Sequence, residues 1–99
     1  MSRHETLHKG KIIEYFGDYR SMIGNLVVRD SATGGIAYIF CETIQTERGL
    51  EMAYGAGSSV LDKEIYYGLD ENMVLTGFIP VEEAEEDLIR VYDEIHIKH

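Results

Sequence analysis

The sequence predicts a small, mostly β domain: a β-barrel of five or six antiparallel strands with one C-terminal α-helix. Two observations predict it. Short runs rich in β-branched and aromatic residues recur as far as residue 79 and are separated by glycine-containing turns, as is typical of small barrels. From Val81 onward the apolar residues recur every three or four positions, which is the period of an amphipathic helix. A chain of 99 residues is long enough for one domain with a modest core.

Six segments have the composition of strands, and turn signals separate them. They are residues 11–16, 22–29, 36–46, 50–54, 60–67 and 73–79. Within the second segment, Gly24 indicates a bulge or a close backbone approach. The clearest hairpin loop is residues 30–35, where an aspartate, a serine and two glycines lie between apolar runs. We expect residues 1–9 to form a flexible tail and residues 10–99 to form a single domain.

The third predicted strand is apolar on both faces over its first half. Tyr38 and Phe40 fall on one face, and Ile39 and Cys41 fall on the other. Either this strand is covered from both sides or one of its faces is an exposed aromatic surface.

The C-terminal helix is predicted over residues 81–96. Pro80 stands where a helix begins, and acidic residues in the first turn complement the positive end of the helix dipole. We expect the apolar stripe of this helix to lie on the barrel or across its open end. That stripe consists of Leu88, Val91, Tyr92 and Ile95.

The composition indicates a cytoplasmic protein without disulfides. Cys41 is the single cysteine and lies in an apolar run, which suits a small buried residue in a reducing compartment. No apolar stretch approaches the roughly 20 residues that a membrane span needs. The first ten residues lack the hydrophobic segment of a signal peptide.

The net charge of −9 is confined to the second half of the chain. Residues 1–48 carry six basic and six acidic groups, whereas residues 49–99 carry three basic groups against twelve acidic ones. An acidic protein repels nucleic acid at long range, because affinity for phosphate comes from Lys and Arg. A surface built from the neutral half can still bind a polyanion, weakly and at low salt.

Several short motifs in the first half follow the order of those of one known family and, with one inserted residue, their spacing. They are Gly10, Tyr15-Phe16, Gly17-Asp18, the run 37–41 (Ala-Tyr-Ile-Phe-Cys) and Ile44-Gln45. With them, residues 10–45 resemble the first three strands of a cold-shock domain, the single-stranded nucleic-acid-binding version of the OB-fold. The second-strand motif of that family would fall on residues 21–26, which keep Gly24 but neither aromatic residue.

This resemblance implies an OB-like barrel, with an SH3-like barrel as the open alternative, and a non-catalytic module that binds single-stranded RNA or DNA. In that family, bases stack on a row of exposed rings. The resemblance thus assigns base stacking to Tyr15, Tyr38 and Phe40. The basic residues near these rings, which would contact phosphate, are Lys11, Arg20 and Arg29.

Two alternatives remain open at this stage. The aromatic set, which also includes Phe16 and Tyr19, can instead be core, because aromatics supply most of the buried area in a small domain without tryptophan. Alternatively, the chain is an acidic protein-interaction or inhibitor domain, whose acidic helix face docks a basic protein partner or whose exposed Tyr38–Phe40 surface pairs with that of a second copy. The acidic helix face can also be simply a solvated surface. The residues of that candidate docking site are Glu82, Glu83, Glu86 and Asp87.

No pattern of an enzyme or of a cofactor or metal site is evident. The histidines lie near the two ends of the chain, at positions 4, 8, 96 and 99, and nothing in the sequence brings them together. Gly55 and Gly57 are not followed by the lysine and hydroxyl residue of a phosphate-binding loop. Cys41 has no neighbouring histidine to activate it. We therefore expect no catalytic residue, no cofactor and no metal.

Overall fold

The computed structural model describes residues 7–84, which form one five-stranded antiparallel sheet and a helix that packs on it. The strands follow the order β3-β2-β1-β4-β5 across the sheet, so the fold is mostly β, as predicted. The elements are β1 (His8–Phe16), β2 (Ile23–Asp30), β3 (Ile36–Glu42), α1 (Thr43–Tyr54), β4 (Glu64–Leu69), β5 (Leu75–Pro80) and α2 (Val81–Ala84).

The sheet is not closed into a barrel over residues 7–84. Its two edge strands, β3 and β5, approach each other at one parallel bridge between Phe40 and Val74. There the backbone N–H of Phe40 donates to the carbonyl of Met73 at 3.0 Å. The sheet is therefore curved enough for its edges to touch, and the contact is limited to this point.

The hydrophobic core lies between one face of the sheet and α1. Its buried members are Ile12, Leu26, Val28, Ile39, Cys41, Leu50, Ile65 and Tyr67. Cys41 is buried as predicted, and burial raises the pKa of its thiol, which keeps the group protonated and unreactive.

Residues 43–54 form a helix, so the predicted strand ending at residue 46, the turn at 47–49 and the strand at 50–54 are wrong. The β-branched residues Thr43, Ile44 and Thr46 suggested a strand. The side chain of Glu42 instead accepts the backbone N–H of Gln45 and caps a helix. Thr43, Thr46 and Leu50 are then buried on one side.

Gly49, read from the sequence as a turn residue, lies within α1 for a packing reason. A Cβ atom at this position would lie 3.2 Å from the ring of Phe78 on β5. The absence of a side chain lets the helix approach the sheet closely. Neither this contact nor the capping geometry is visible in a composition pattern.

The remaining strand boundaries also shift for identifiable reasons. β1 begins at His8, which pairs with Tyr67 of β4, so the last two residues of the predicted tail belong to the sheet. β4 and β5 begin later than predicted, after Asp62 and Met73, whose φ angles are 70° and 64°. Left-handed backbone of this kind does not continue a strand.

A helix begins at Val81 directly after Pro80, as predicted, and is described as far as Ala84. Burial and the nearby carboxylates of Glu82 and Glu83 raise the pKa of Tyr54, at the end of α1, to about 12. The rest of the predicted helix, with Leu88 and its apolar stripe, lies outside the described residues. Between residues 7 and 84 no helix has the length and apolar character needed to cross a membrane.

Gly24 marks a close backbone approach, the second of the two readings that the sequence allowed. A Cβ atom there would lie 2.6 Å from the carbonyl oxygen of Phe16 on the neighbouring strand. Real Cβ atoms do not approach backbone this closely, so β1 and β2 would have to separate. The register shift between these strands falls in β1, between Ile12 and Glu14.

We expect Gly24→Ala to lower the free energy of unfolding by about 1–3 kcal/mol, the usual cost of forcing an extra carbon into a packed site. Urea denaturation followed by circular dichroism measures this. Gly35→Ala is the matched control, because its Cβ would meet nothing closer than the hydroxyl of Thr33 at 3.4 Å. Equal denaturation midpoints for the two variants would contradict the close approach.

Candidate nucleic-acid interface

A bulge in β1 decides which of its side chains leave the core. Lys11 pairs with Arg29 and Ile12 with Val28, but the next pair is Glu14 with Val27. Ile13 is therefore an extra residue, and it reverses the alternation of side chains that follows. As a result Phe16 lies on the side of the sheet away from the core, whereas Tyr15 turns inward.

The pairing of β2 with β3 completes this surface. Val27 lies opposite Tyr38, Asn25 opposite Phe40 and Arg29 opposite Ile36. Because the core side is taken by Leu26, Val28 and Ile39, these six residues lie on the opposite side of the sheet. We call this surface of β1, β2 and β3 the outer face: Lys11, Glu14, Phe16, Asn25, Val27, Arg29, Ile36, Tyr38 and Phe40.

Three aromatic rings of the outer face are open to solvent. Tyr38 is 65% exposed, Phe16 53% and Phe40 47%. Phe16 and Phe40 lie on either side of Asn25 in one row across three strands, and Tyr38 lies in the next row beside Val27, which is only 5% exposed. Exposed rings around an apolar centre are uncommon on a surface without a binding role.

Two cations lie side by side at one end of the outer face. Lys11 and Arg29 are direct cross-strand neighbours, an arrangement that is unfavourable without an anion nearby. One guanidinium N–H of Arg29 donates to the carbonyl of Gly34 at 3.0 Å, which holds the side chain near the hairpin loop. Glu64 of β4 is the other cross-strand neighbour of Lys11, but no salt bridge joins the two within the described residues.

Arg20 lies beyond the opposite end of the outer face, in the loop between β1 and β2. Asp18 organises this loop, since its carboxylate accepts the backbone N–H of Arg20 at 2.9 Å and the hydroxyl of Ser21 at 3.0 Å. The bond from the Arg20 N–H, with those from Ser21, lowers the pKa of Asp18. Of the three basic residues assigned from the sequence, Lys11 and Arg29 thus lie on the outer face, and Arg20 lies in the loop that follows β1.

Tyr15 and Tyr19 belong to a different environment. The hydroxyl of Tyr15 donates to the carboxylate of Glu47 on α1 at 3.2 Å, and the hydroxyl of Tyr19 donates to the same carboxylate. Burial, followed by the charge of Glu47, raises the pKa of Tyr15. The hydrogen bond to Glu47 is the main cause of the raised pKa of Tyr19. Both hydroxyls remain protonated and tie the β1–β2 segment to the helix.

The structure therefore places Tyr38, Phe40, Lys11 and Arg29 on one surface and leaves Tyr15 out of it. The resemblance to cold-shock domains assigned base stacking to Tyr15, which in a regular strand would share a face with Lys11. It assigned no role in the site to Phe16, which the bulge brings to the outer face. The expectation that the aromatics line the core holds for Tyr15 alone, because Phe16, Tyr19, Tyr38 and Phe40 are exposed. No sequence signal marks the bulge, since Ile13 is an ordinary strand residue.

The other candidate sites are described only in part. Glu82 and Glu83 are exposed on α2, while Glu86 and Asp87 lie outside the described residues. His8 is in β1, stacked on Tyr67 with ring centres 5.2 Å apart, and its Nδ1 lies 3.8 Å from Asp30. Across residues 7–84 no group of three or more potential ligands is placed to hold a metal ion.

A cleft in the described region is separate from the rings of the outer face. It has a volume of about 430 Å³ and lies between α1 and β5, lined in part by Thr46, Gly49 and Phe78. Neither a histidine nor a cysteine lines it. The carboxylates of Glu42 and Glu83 line it instead.

Comparisons with protein-family models, with curated proteins and with solved structures find no match to this chain.

Proposed function

We propose that this protein is a non-catalytic module that binds single-stranded nucleic acid on the outer face. The observation that carries the proposal is the group of three exposed rings, Phe16, Tyr38 and Phe40, on one wall of sheet with Lys11 and Arg29 beside it. Every base has a flat π-face, so such rings bind single strands with little dependence on sequence.

The spacing of the rings suits successive bases. Tyr38 and Phe40 are two residues apart on β3, so their Cα atoms are about 6.8 Å apart along the strand. An extended single strand that crosses β3 can stack one base on each ring and a third on Phe16. Lys11 and Arg29 then contact phosphates at one end of this path, and Arg20 does so at the other.

An OB-like fold is part of this proposal. It is supported by the strand order β3-β2-β1-β4-β5 and by the one parallel bridge between Phe40 and Val74, the residue before β5, because closure of such a barrel pairs β3 with β5. A helix between the third and fourth strands is compatible with that closure.

The charge of the chain limits the affinity that this surface can reach. Two carboxylates lie near the cations on neighbouring strand positions: Glu64 is opposite Lys11 on β4, and Glu14 lies beside Val27 on the outer face. The whole chain carries −9. We therefore expect micromolar binding that weakens steeply with salt, because the favourable electrostatic contribution comes from a few local cations.

The test is a fluorescence-anisotropy titration of labelled oligo-pyrimidine, RNA and DNA in parallel, at about 50 mM salt. We expect a Kd in the micromolar range for single strands and much weaker binding to a duplex of the same length, whose bases are already stacked. Absence of binding at about 50 µM protein would refute the proposal. A Kd of about 50 µM corresponds to a binding free energy of only about −6 kcal/mol.

The same titration at several salt concentrations tests the assigned cations. We expect Lys11→Ala and Arg29→Ala each to make the slope of log K against log salt shallower by about 0.7, the value for one single-strand phosphate contact. Arg48→Ala, an exposed cation on α1, is the matched control and should leave the slope unchanged. A slope that changes equally for all three would indicate long-range charge effects only.

A further inference from the structure

The free edge of β3 presents backbone groups that have no partner in the described part of the chain. Asp30 donates its N–H to the carbonyl of Gly35 at 2.8 Å, so the hydrogen-bonded pairs of this ladder are Asp30 with Gly35, Val28 with Ala37 and so on alternately. The N–H and C=O groups of Ile36 and Tyr38 therefore point away from β2. Over residues 7–84 the only bridge across that edge is made by Phe40.

The sequence of this part of the edge carries none of the protective residues that commonly block strand pairing. Residues 36–39 (Ile-Ala-Tyr-Ile) contain no charge, no proline and no bulge. The side chains of Ile36 and Tyr38 are exposed on its outer side. An uncharged, unprotected edge is a template for another strand.

The edge is complementary to itself. If a second copy runs antiparallel with a two-fold axis at Ala37, Ile36 of one copy lies opposite Tyr38 of the other, and the same pair forms again on the far side of the axis. Each pair exchanges two backbone hydrogen bonds. The outward N–H and C=O groups of Ile36 and of Tyr38 are therefore all paired in both copies. Each pair also sets a β-branched side chain against an aromatic ring, a favourable cross-strand combination.

We propose that two copies of this protein associate by antiparallel pairing of their β3 edges about Ala37. This joins the two sheets and continues the outer face from one copy into the next, with the rings still open to solvent. The contact is short and each chain carries −9, so we infer a weak dimer, with a Kd on the order of 100 µM.

The proposed register can be tested by disulfide trapping. At the axis, Ala37 meets Ala37 of the second copy as a pair without mutual hydrogen bonds, with Cα atoms about 4.5 Å apart, which a disulfide can bridge. Ile36 and Tyr38 are each offset from their own counterparts by roughly 8–9 Å, which is too far. Ala37→Cys is therefore the test variant, and Ile36→Cys and Tyr38→Cys are the controls.

We expect Ala37→Cys to form a disulfide dimer on mild oxidation roughly ten times faster than either control. The controls are more exposed than Ala37, so crosslinking by random collision would give the reverse order. The native Cys41 is buried, and the unmodified chain therefore measures the background rate of disulfide formation. Crosslinking of the controls at the rate of Ala37→Cys would overturn the proposed register.

Sedimentation equilibrium tests the association itself. We expect the unmodified chain to show dimer at protein concentrations up to about 1 mM. Ile36→Pro should be a monomer with an unchanged fold, because it removes an N–H that points away from β2, at the first residue of an edge strand. An unmodified chain that stays monomeric at about 1 mM would overturn the proposal.

These outcomes are independent of nucleic-acid binding. A dimer that binds no oligonucleotide would support the edge pairing and refute the proposed function. A monomer that binds oligonucleotide would do the opposite.

Discussion

The double variant Tyr38→Ala/Phe40→Ala is expected to lose at least 30-fold in affinity for single-stranded oligo-pyrimidine. Each base stacked on an aromatic ring contributes about 1–3 kcal/mol, so removal of two rings costs about 2–6 kcal/mol, which is roughly 30-fold or more. Both side chains are exposed, so their truncation should leave the fold intact. Fluorescence anisotropy measures the affinity, and circular dichroism checks the fold.

Tyr19→Ala is the control for this experiment. Tyr19 is 62% exposed, close to the 65% of Tyr38, but its hydroxyl is bound to Glu47 of α1. We expect less than about a threefold change in affinity for this variant, equivalent to roughly 0.6 kcal/mol. Equal losses for Tyr19→Ala and the double variant would show that binding does not depend on the rings of the outer face.

The largest effect on stability is expected from Ile39→Ala. Ile39 is fully buried in the core beside Leu26, so the change removes buried apolar surface and leaves a cavity. Such substitutions cost about 2–5 kcal/mol, against a total stability of about 5–15 kcal/mol for a small domain. Thermal denaturation should show a melting temperature lower by about 10 °C or more.

Ile36→Ala is the matched control, since it makes the same chemical change in the same strand on the exposed outer face. We expect a change in unfolding free energy within about 0.5 kcal/mol, as is usual for surface positions. Both variants are measured at low protein concentration, where association through β3 does not contribute. Similar melting temperatures for the two would contradict the assignment of faces in β3.

Much of the sheet could be predicted from the sequence because its signals are local. Alternating apolar residues identified β2 and the first part of β3, and the loop at residues 30–35 was recognisable from its aspartate and glycines. The carboxylate of Asp30 accepts the N–H groups of Ala32 and Thr33 within that loop, which is the physical reason why an aspartate favours a turn. Pro80 likewise marked the start of α2.

The helix α1 could not be predicted because its local preferences favour a strand. Thr43, Ile44 and Thr46 are β-branched, and Gly49 resembles a turn residue. The helix is stabilised by its cap at Glu42 and by packing against the sheet, where Gly49 makes room for Phe78. The contact between Gly49 and Phe78 joins residues 29 positions apart, so inspection of neighbouring residues does not show it.

Local patterns along the chain were enough to predict that this protein is mostly β, that Tyr38 and Phe40 share a face and that the first half of the chain is electrically neutral. That this face is exposed, and that Phe16 joins it instead of Tyr15, follows only from the way the strands pair. The physical reason is the extra residue at Ile13, because a single insertion in a ladder exchanges the two faces of everything that follows. Only the pairing of β1 with β2 shows where that insertion falls.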